Sequence, residues 1–502
     1  MNFRMRSRGT ILRIVIFAVF LAFLPVWRVD SPTLVSAQSG CPNTPIVTID
    51  SPQTPADVCI PTGFGGNPIQ YFDDYSWRTF ISMVWPVAAG QRGVPDSARR
   101  IGDVSVPLVF ETLKSDWEVF QPSGATPSAW SDFTGTNPCG VSIGFNDMIL
   151  ASFTKFGNLG EAGFSRQNPL IHALPSQNGK WVRYLTAFNQ TEYTQIINGK
   201  LYLLASLESA APITFQNGAL DVKSAWMDMT GIPDAQKSRY YTRSAMVLNP
   251  ANPTGPCTTI TVGLVGLHIV QKTPSRPQWI WSTFEQVDNV PPTPGATGAF
   301  GFNDGKGTPS PLTLPPPQNK DPNGGFPPNN WASPTVYNVV RIKPIDSQGN
   351  GSFTTSTQAT NANYQRALAG TVWQFYQLVM TQWPLQLSPP NPIPPTQTGS
   401  PQNTFPGGQN PTSAFSNTTL ETWDQSSIGT GCMACHTFTQ KNSDFLWSLE
   451  INAFDATKPN TALMALRTAS AVRAPRSVPE RRLMALLKSA ASGKQPTTTP
   501  NK

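Results

Sequence analysis

Prolines interrupt this 502-residue chain so often that no long helix can run through most of it: there are 50 of them, with 38 glycines beside them. Each proline removes a backbone donor and clashes with the preceding helical turn, so the regular elements between them must be short. The runs that remain alternate in polarity and are rich in β-branched and aromatic residues, at 104–111, 181–190, 200–207, 240–248, 258–270 and 279–287. Such runs read as strands of one sheet system. Pro107 makes the first of them an edge strand at best. With 39% hydrophobic residues to bury, the expected class is α+β, mainly β: a β-rich body with a few buried helices.

Two helices are expected in the body. WRTFISMVW at 77–85, led by Tyr71, Phe72 and Tyr75 and stopped by Pro86, has apolar residues at mixed three- and four-residue spacing. NANYQRALAGTVWQFYQLVMTQW at 361–383 is helical in composition and apolar on most sides in its second half, so it must be buried. Residues 290–335 and 388–411 are dense in Pro, Gly and Asn and read as long ordered loops wrapped on one body, with a strand-like stretch at 335–342. The expected organisation is a leader over 1–37, a body over 38–412, a distinct segment over 413–455 and a basic tail over 456–502. In the tail, 481–489 reads as an amphipathic helix and the last dozen residues as disordered.

Arg4, Arg6, Arg8 and Arg13 precede an apolar run at 14–27, and Val35-Ser36-Ala37 offers small residues before Gln38. This is the pattern of a secretory signal; the run is shorter than the ~20 residues a spanning helix needs. The expected location is therefore exported, periplasmic or otherwise extracytoplasmic, with no membrane span in the mature chain. The net charge of +7 comes from the ends: residues 38–436 hold 21 basic and 24 acidic side chains. That balance offers no basic face for phosphates, which excludes nucleic acid as a partner. Of the six cysteines, Cys41 and Cys59 are near neighbours, and Cys139 and Cys257 each follow a Pro turn at the start of a strand-like run. Cys41–Cys59 and Cys139–Cys257 are the favoured disulfides of three possible pairings.

The other two cysteines carry chemistry. Thr430-Gly-Cys-Met-Ala-Cys-His-Thr437 contains Cys-x-x-Cys-His. Thiols three residues apart reach both vinyl groups along one edge of a haem, and the adjacent histidine then falls under the iron. Other readings are weaker. A thioredoxin-like pair wants a βαβ context that the flanks do not offer, a structural zinc needs four ligands, and a disulfide between residues three apart is strained. One covalent haem c, bound through Cys432 and Cys435 with His436 as first axial ligand, is the expected cofactor.

The motif CMACH resembles the cytochrome c superfamily. The stretches SWRTFISMVWP (76–86), LHIVQKTPSRPQWIWSTFEQVDN (267–289), YQLVMTQWP (376–384) and TTLETWDQSSIGTGCMACHT (418–437) are similar to a group of exported mono-haem cytochrome c proteins with a long N-terminal body. The resemblance implies that body and haem segment form one unit, and that haem is attached outside the cytoplasm. It supplies no reaction, since the group has no assigned substrate. Only 66 residues follow His436, and much of that is basic tail, which leaves too little fold-forming chain for the self-contained domain that the resemblance would place behind the motif. The haem is therefore expected to pack against the body, with 361–383, Trp423, Phe438, Phe445 and Trp447 as candidate walls.

The function expected first is electron transfer to or from an exported redox partner protein. The alternatives are a haem oxidoreductase acting on peroxide or a small substrate, and a haem-containing binding or sensor protein. A second axial ligand would come from His172, His268, Met380, Met464 or Met484; Met433 lies inside the attachment loop and cannot reach the opposite face of the ring. His268, near the end of the run TITVGLVGLHIV, is the first choice, and Met380 is the alternative. N-terminal sequencing of the mature protein is expected to begin near Gln38; a product retaining residues 14–27 would refute the leader.

Overall fold

The computed structural model describes residues 40–64, 68–121, 123–152, 174–209, 213–249, 255–293, 295–307, 334, 336, 338–341, 345, 354–383, 417–422, 432, 436 and 443–457. In chain order their regular elements are α1 (Ile69–Met83), β1 (Lys114–Ser115), α2 (Asp116–Val119), β2 (Ile149–Leu150), β3 (Arg183–Phe188), α3 (Gln190–Asn198), α4 (Leu204–Ser209), β4 (Leu220–Asp228), α5 (Asp234–Lys237), β5 (Thr242–Val247), β6 (Thr258–Thr273), β7 (Arg276–Gln286), α6 (Thr354–Ala367), β8 (Tyr376–Gln382) and α7 (Trp447–Asn452). The strands form one curled, mixed sheet of order β1-β3-β4-β6-β5-β2, with β7 also on β6 and β8 beyond β7. Only the short β2–β5 pair is parallel; the other pairs are antiparallel.

Strand β6 is the axis of the sheet. Along one side it pairs with β4 from Val262 to Gln271. Along the other, Thr258–Gly263 pair with β5 and Gly266–Thr273 with β7. Between the two partners Val265 has no counterpart on β4, a one-residue bulge that bends the strand and lets one ribbon serve two neighbours.

Both faces of this sheet are covered. On one, Leu267 and Ile269 of β6 and Phe284 of β7 meet Trp77 and Phe80 of α1 and Tyr364 of α6 in a single apolar cluster. Helix α1 is buried on nearly every side, so its polar groups are satisfied internally: Ser76 bonds Ser282 and Thr381, and Tyr75 donates to Gln271. On the opposite face Val270, Trp279 and Trp281 pack with Phe188, Tyr193, Phe215, Phe445, Leu446 and Leu449. The second core is thus closed by α3, α4 and the chain around α7.

The α+β, mainly β class and the helix inside SWRTFISMVWP are as the sequence indicates, and so are both disulfides: Cys41–Cys59 and Cys139–Cys257 each have Cα atoms 5.4 Å apart. Strands at 181–190, 240–248, 258–270 and 279–287 are present as β3, β5, β6 and β7. Three expectations are corrected. The helix expected over 361–383 ends at Ala367; Gly370, at φ +85°, turns the chain, a 3-10 turn follows at Val372–Phe375, and YQLVMTQ is strand β8 on β7. Its apolar second half is two-sided because a strand inside a covered sheet is buried on both faces. Residues 104–111 form no strand, only a bridge from Leu108 to Pro86 before a 3-10 turn at Val109–Thr112. Residues 200–207 begin as the close of α3: Lys200 is left-handed at φ +52°, the Leu201 N–H donates to the Ile196 carbonyl, and α4 follows. The strand-like residues 335–342 have no strand at the described positions. The tail helix at 481–489, the loop 388–411 and residues 1–37 lie outside the described residues. No helix among the described residues is long and apolar enough to cross a membrane.

Asp73 of α1 is fully buried between the Thr357 and Thr381 hydroxyls, which donate to it at 2.5 and 3.0 Å. Burial pushes its carboxyl up to about 7, against those two donors and with Asp74 adding to the rise. A raised carboxyl contributes stability below the ordinary pKa near 4 and loses it as pH rises through about 7. Asp73→Asn is therefore expected to stabilise the protein by on the order of 2–4 kcal/mol near pH 8, and by less near pH 5, in urea unfolding. A gain independent of pH would refute this account.

Candidate functional site

The second face of the sheet positions the motif. In β6 the side chains of 266, 268, 270 and 272 share that face, and the antiparallel register puts Glu285, Thr283 and Trp281 of β7 beside the first three. Three of these positions receive the C-terminal part of the chain. At Gly266 a Cβ would collide with the Thr419 hydroxyl, so only glycine lets the 417–422 segment lie flat on the strand. Asn417 donates to Thr283 and to the Phe284 carbonyl, and the Thr418 N–H and hydroxyl both donate to Glu285, which Arg341 also pairs. Lys272, at the far end of the row, reaches Asp444.

His436 is 6% exposed and its ring lies 4.2 Å from that of Trp281, with planes 49° apart. Its Nδ1 is 2.6 Å from the Phe445 carbonyl oxygen. A carbonyl can only accept, so Nδ1 carries the proton and Nε2 keeps its lone pair, the tautomer a metal ligand needs. Cys432 is half-buried in the same apolar cluster, with Trp279, Trp281 and Phe445. The structure therefore brings Cys432 and His436 together on the body; Cys435 lies outside the described residues.

The Phe445 carbonyl is held by a strained turn. Among the described residues four that are not glycine have positive φ, and three of them meet here: Trp279 (72°), Asp444 (48°) and Phe445 (71°). Each costs on the order of 1–3 kcal/mol and persists only where its surroundings over-determine it. They do so here. The Trp279 indole donates to the Asp444 carbonyl at 2.9 Å, while the Asp444 carboxylate accepts from Lys272 at 2.5 Å and from the Phe215 N–H at 2.8 Å. Ser443 donates to Glu450 of α7, tying the turn to the next helix. Burial pushes the Asp444 carboxyl up to about 6, opposed first by the Lys272 charge, and burial lowers Lys272.

The two candidate second ligands share a row on this face. His268 is buried opposite Thr283 of β7, which is itself opposite Met380 of β8. That row adjoins the row of Val270, Trp281 and Gln382, against which His436 lies. The His268 Nε2 is 2.6 Å from the Glu421 carboxylate, whose other oxygen accepts the Asn417 N–H. Met380 is therefore on a strand rather than on the helix expected for it. The helical half of 361–383 covers the opposite face of the sheet and is no wall for the motif. Of the candidate walls, Phe445 and Trp447 are buried, and Phe445 packs with Cys432. Trp423, Phe438, His172, Met433, Met464 and Met484 lie outside the described residues.

Sequence reasoning missed Lys272 and Asp444. Nothing local marks them, because the ion pair joins residues 172 positions apart and the strain depends on it. Strand β4 was missed for a related reason: Asp221, Lys223 and Asp228 look like a solvent face, yet every residue of LDVKSAWMD is buried. Among the described residues no three His, Cys, Asp or Glu side chains converge as a bare metal site. A comparison of the chain with protein-family models, with curated proteins and with solved structures finds no match to any of them. The geometry of the chain itself must therefore carry any functional reading.

Lys272→Met leaves Asp444 buried without its cation, and is expected to destabilise the protein by about 3–5 kcal/mol in urea unfolding. Lys272→Met combined with Asp444→Asn should recover most of that loss. A double variant as unstable as the single one would show that the pair is not what holds the turn.

Proposed function

We propose that this protein is an exported mono-haem c-type cytochrome that transfers electrons, its haem bound covalently through Cys432 and Cys435 and its iron ligated by His436. The observation that supports the reading is the hydrogen bond from His436 Nδ1 to the Phe445 carbonyl, which fixes the ring and makes Nε2 the basic nitrogen, the one a metal would take. Two further features support it. Cys432 sits in an apolar wall of Trp279, Trp281 and Phe445, which suits the edge of a hydrophobic macrocycle. The Cys41–Cys59 and Cys139–Cys257 bridges suit the oxidising compartment where such haem is attached.

When bound, the haem supplies a one-electron couple whose potential the protein sets through ligation, burial and hydrogen bonding. The residues do the rest. Phe445 orients His436, Trp281 fills the space beside its ring, and the apolar side chains of the second core pack against Cys432. His268 is the preferred second ligand, because Glu421 already orients its imidazole; Met380, in the same cross-strand row, is the alternative. Two buried candidates in one cross-strand row would offer a bound iron a second protein ligand, which favours electron transfer to an exported redox partner protein over an open catalytic site.

Acidified acetone is expected to leave the colour on the protein, and Cys432→Ala with Cys435→Ala to abolish it; colour surviving that double change removes the proposal. In the intact protein His268→Ala should alter the reduced spectrum and raise the midpoint potential as a sulfur ligand or an open position replaces imidazole. An unchanged spectrum and potential would move the second ligand to Met380.

A further inference from the structure

Beneath the turn that holds His436 lies a buried group that this reading does not use. Glu192, in the first turn of α3, has no exposed surface, and no hydrogen-bond donor reaches either carboxylate oxygen. Its place is fixed by the backbone. The Asn189 side chain accepts the Glu192 N–H at 3.0 Å and the Leu220 N–H at 3.1 Å, and donates to the Gly218 carbonyl, pinning the start of α3 to the start of β4. Four charged groups face Glu192: Asp221 and Lys223 from β4, Lys272 from β6, and Asp444 from the strained turn. Behind them Asp116 of α2 faces Asp221 and Lys223, and also Glu118, which is ion-paired with Arg92 and Lys114.

Electroneutrality makes this arrangement unusual. Counting Glu192, Asp221, Asp444, Asp116 and Glu118 against Lys223, Lys272, Arg92 and Lys114, five carboxyls face four cations, so one negative charge is in excess in this buried cluster. Lys272 is committed to Asp444 at 2.5 Å, and the carboxyl with nothing donating to it is Glu192. An unpaired buried carboxylate takes up a proton rather than remain charged. The same cluster runs through Asp444 to Phe445 and His436, so a change of charge at His436 acts on Glu192 across a low-dielectric path.

We propose that Glu192 is a proton-binding site linked to the redox state of the group held at Cys432, Cys435 and His436; this rests on the haem reading above. Were one electron from a reduced redox protein of the exported class to reach that group, the added negative charge would raise the proton affinity of the Glu192 carboxylate. One proton from solvent then forms the O–H bond of its carboxylic acid, and reoxidation releases it. Burial pushes the Glu192 carboxyl well above its ordinary range, with Asp221 adding to the rise and Lys223 opposing it. The midpoint potential must then fall as pH rises through the range in which Glu192 is protonated only in the reduced protein.

The experiment is a spectroelectrochemical titration of the purified mature protein from about pH 5 to about pH 9, with infrared difference spectra of the reduced and oxidised forms. At one proton per electron the potential falls by up to about 59 mV for each tenfold drop in proton concentration. Glu192→Gln should flatten that slope, keep the visible spectrum, and remove a carboxylic C=O band from the infrared difference. A slope unchanged in Glu192→Gln, or absent from the unmodified protein, overturns the proposal. Should Glu192→Gln fail to accumulate, the unmodified protein decides: a carboxylic band that appears on reduction and shifts in deuterium oxide supports the site, and no such band refutes it. A colourless chain overturns both the haem reading and this one, whereas a coloured chain with a flat potential overturns only this one.

Discussion

From Val262 to Thr273 strand β6 is buried on both faces, and each polar group it presents there must find its partner inside the protein, because an unpaired polar group in the interior costs about as much as a lost hydrogen bond. On the α1 side the demand is met by Gln271 with Tyr75. On the other side it is met by the C-terminal chain: Thr419 over Gly266, Glu421 on His268, Asp444 on Lys272. The segment bearing Cys432 and His436 is for this reason part of the core of the body, not an appended module. Removing it would expose the apolar wall of Trp279 and Trp281 and strand a buried lysine.

That dependence explains why strained backbone gathers at residues 279, 444 and 445. A left-handed Asp-Phe pair is unstable alone, but it directs the Phe445 carbonyl toward the imidazole while the Asp444 side chain points back to Lys272. The ion pair, the indole of Trp279 and the Phe215 N–H supply what the turn costs. The orientation of His436 is in this way coupled to a charge cluster on β4, β6 and α3, and the electrostatics of that cluster become part of any redox chemistry at the motif.

Much of the architecture is legible in the chain because it rests on local rules. Four of the six alternating runs are strands, since β-branched and aromatic residues fit a pleated surface wherever they are buried. The helix before Pro86 follows its three- and four-residue spacing. The misreadings come where tertiary context overrides the local signal. YQLVMTQW reads as a helix because apolar residues on all sides suit a buried helix and a strand covered on both faces equally. LDVKSAWMD carries no legible strand signal because its charged side chains face other charged groups in the interior instead of solvent.

By itself the sequence determined the β-rich class and a Cys-x-x-Cys-His motif whose spacing points to haem attachment, and among three possible pairings it favoured Cys41 with Cys59 and Cys139 with Cys257; each depends on residues close in the chain or few in number. Only the tertiary structure decided that His268 and Met380 lie in one cross-strand row beside the row His436 touches, and that Phe445 orients His436. Only it placed Glu192 against two lysines. These are contacts between residues far apart in sequence, set by strand register and by the bulge at Val265, and no periodicity along the chain encodes which face a distant side chain will share.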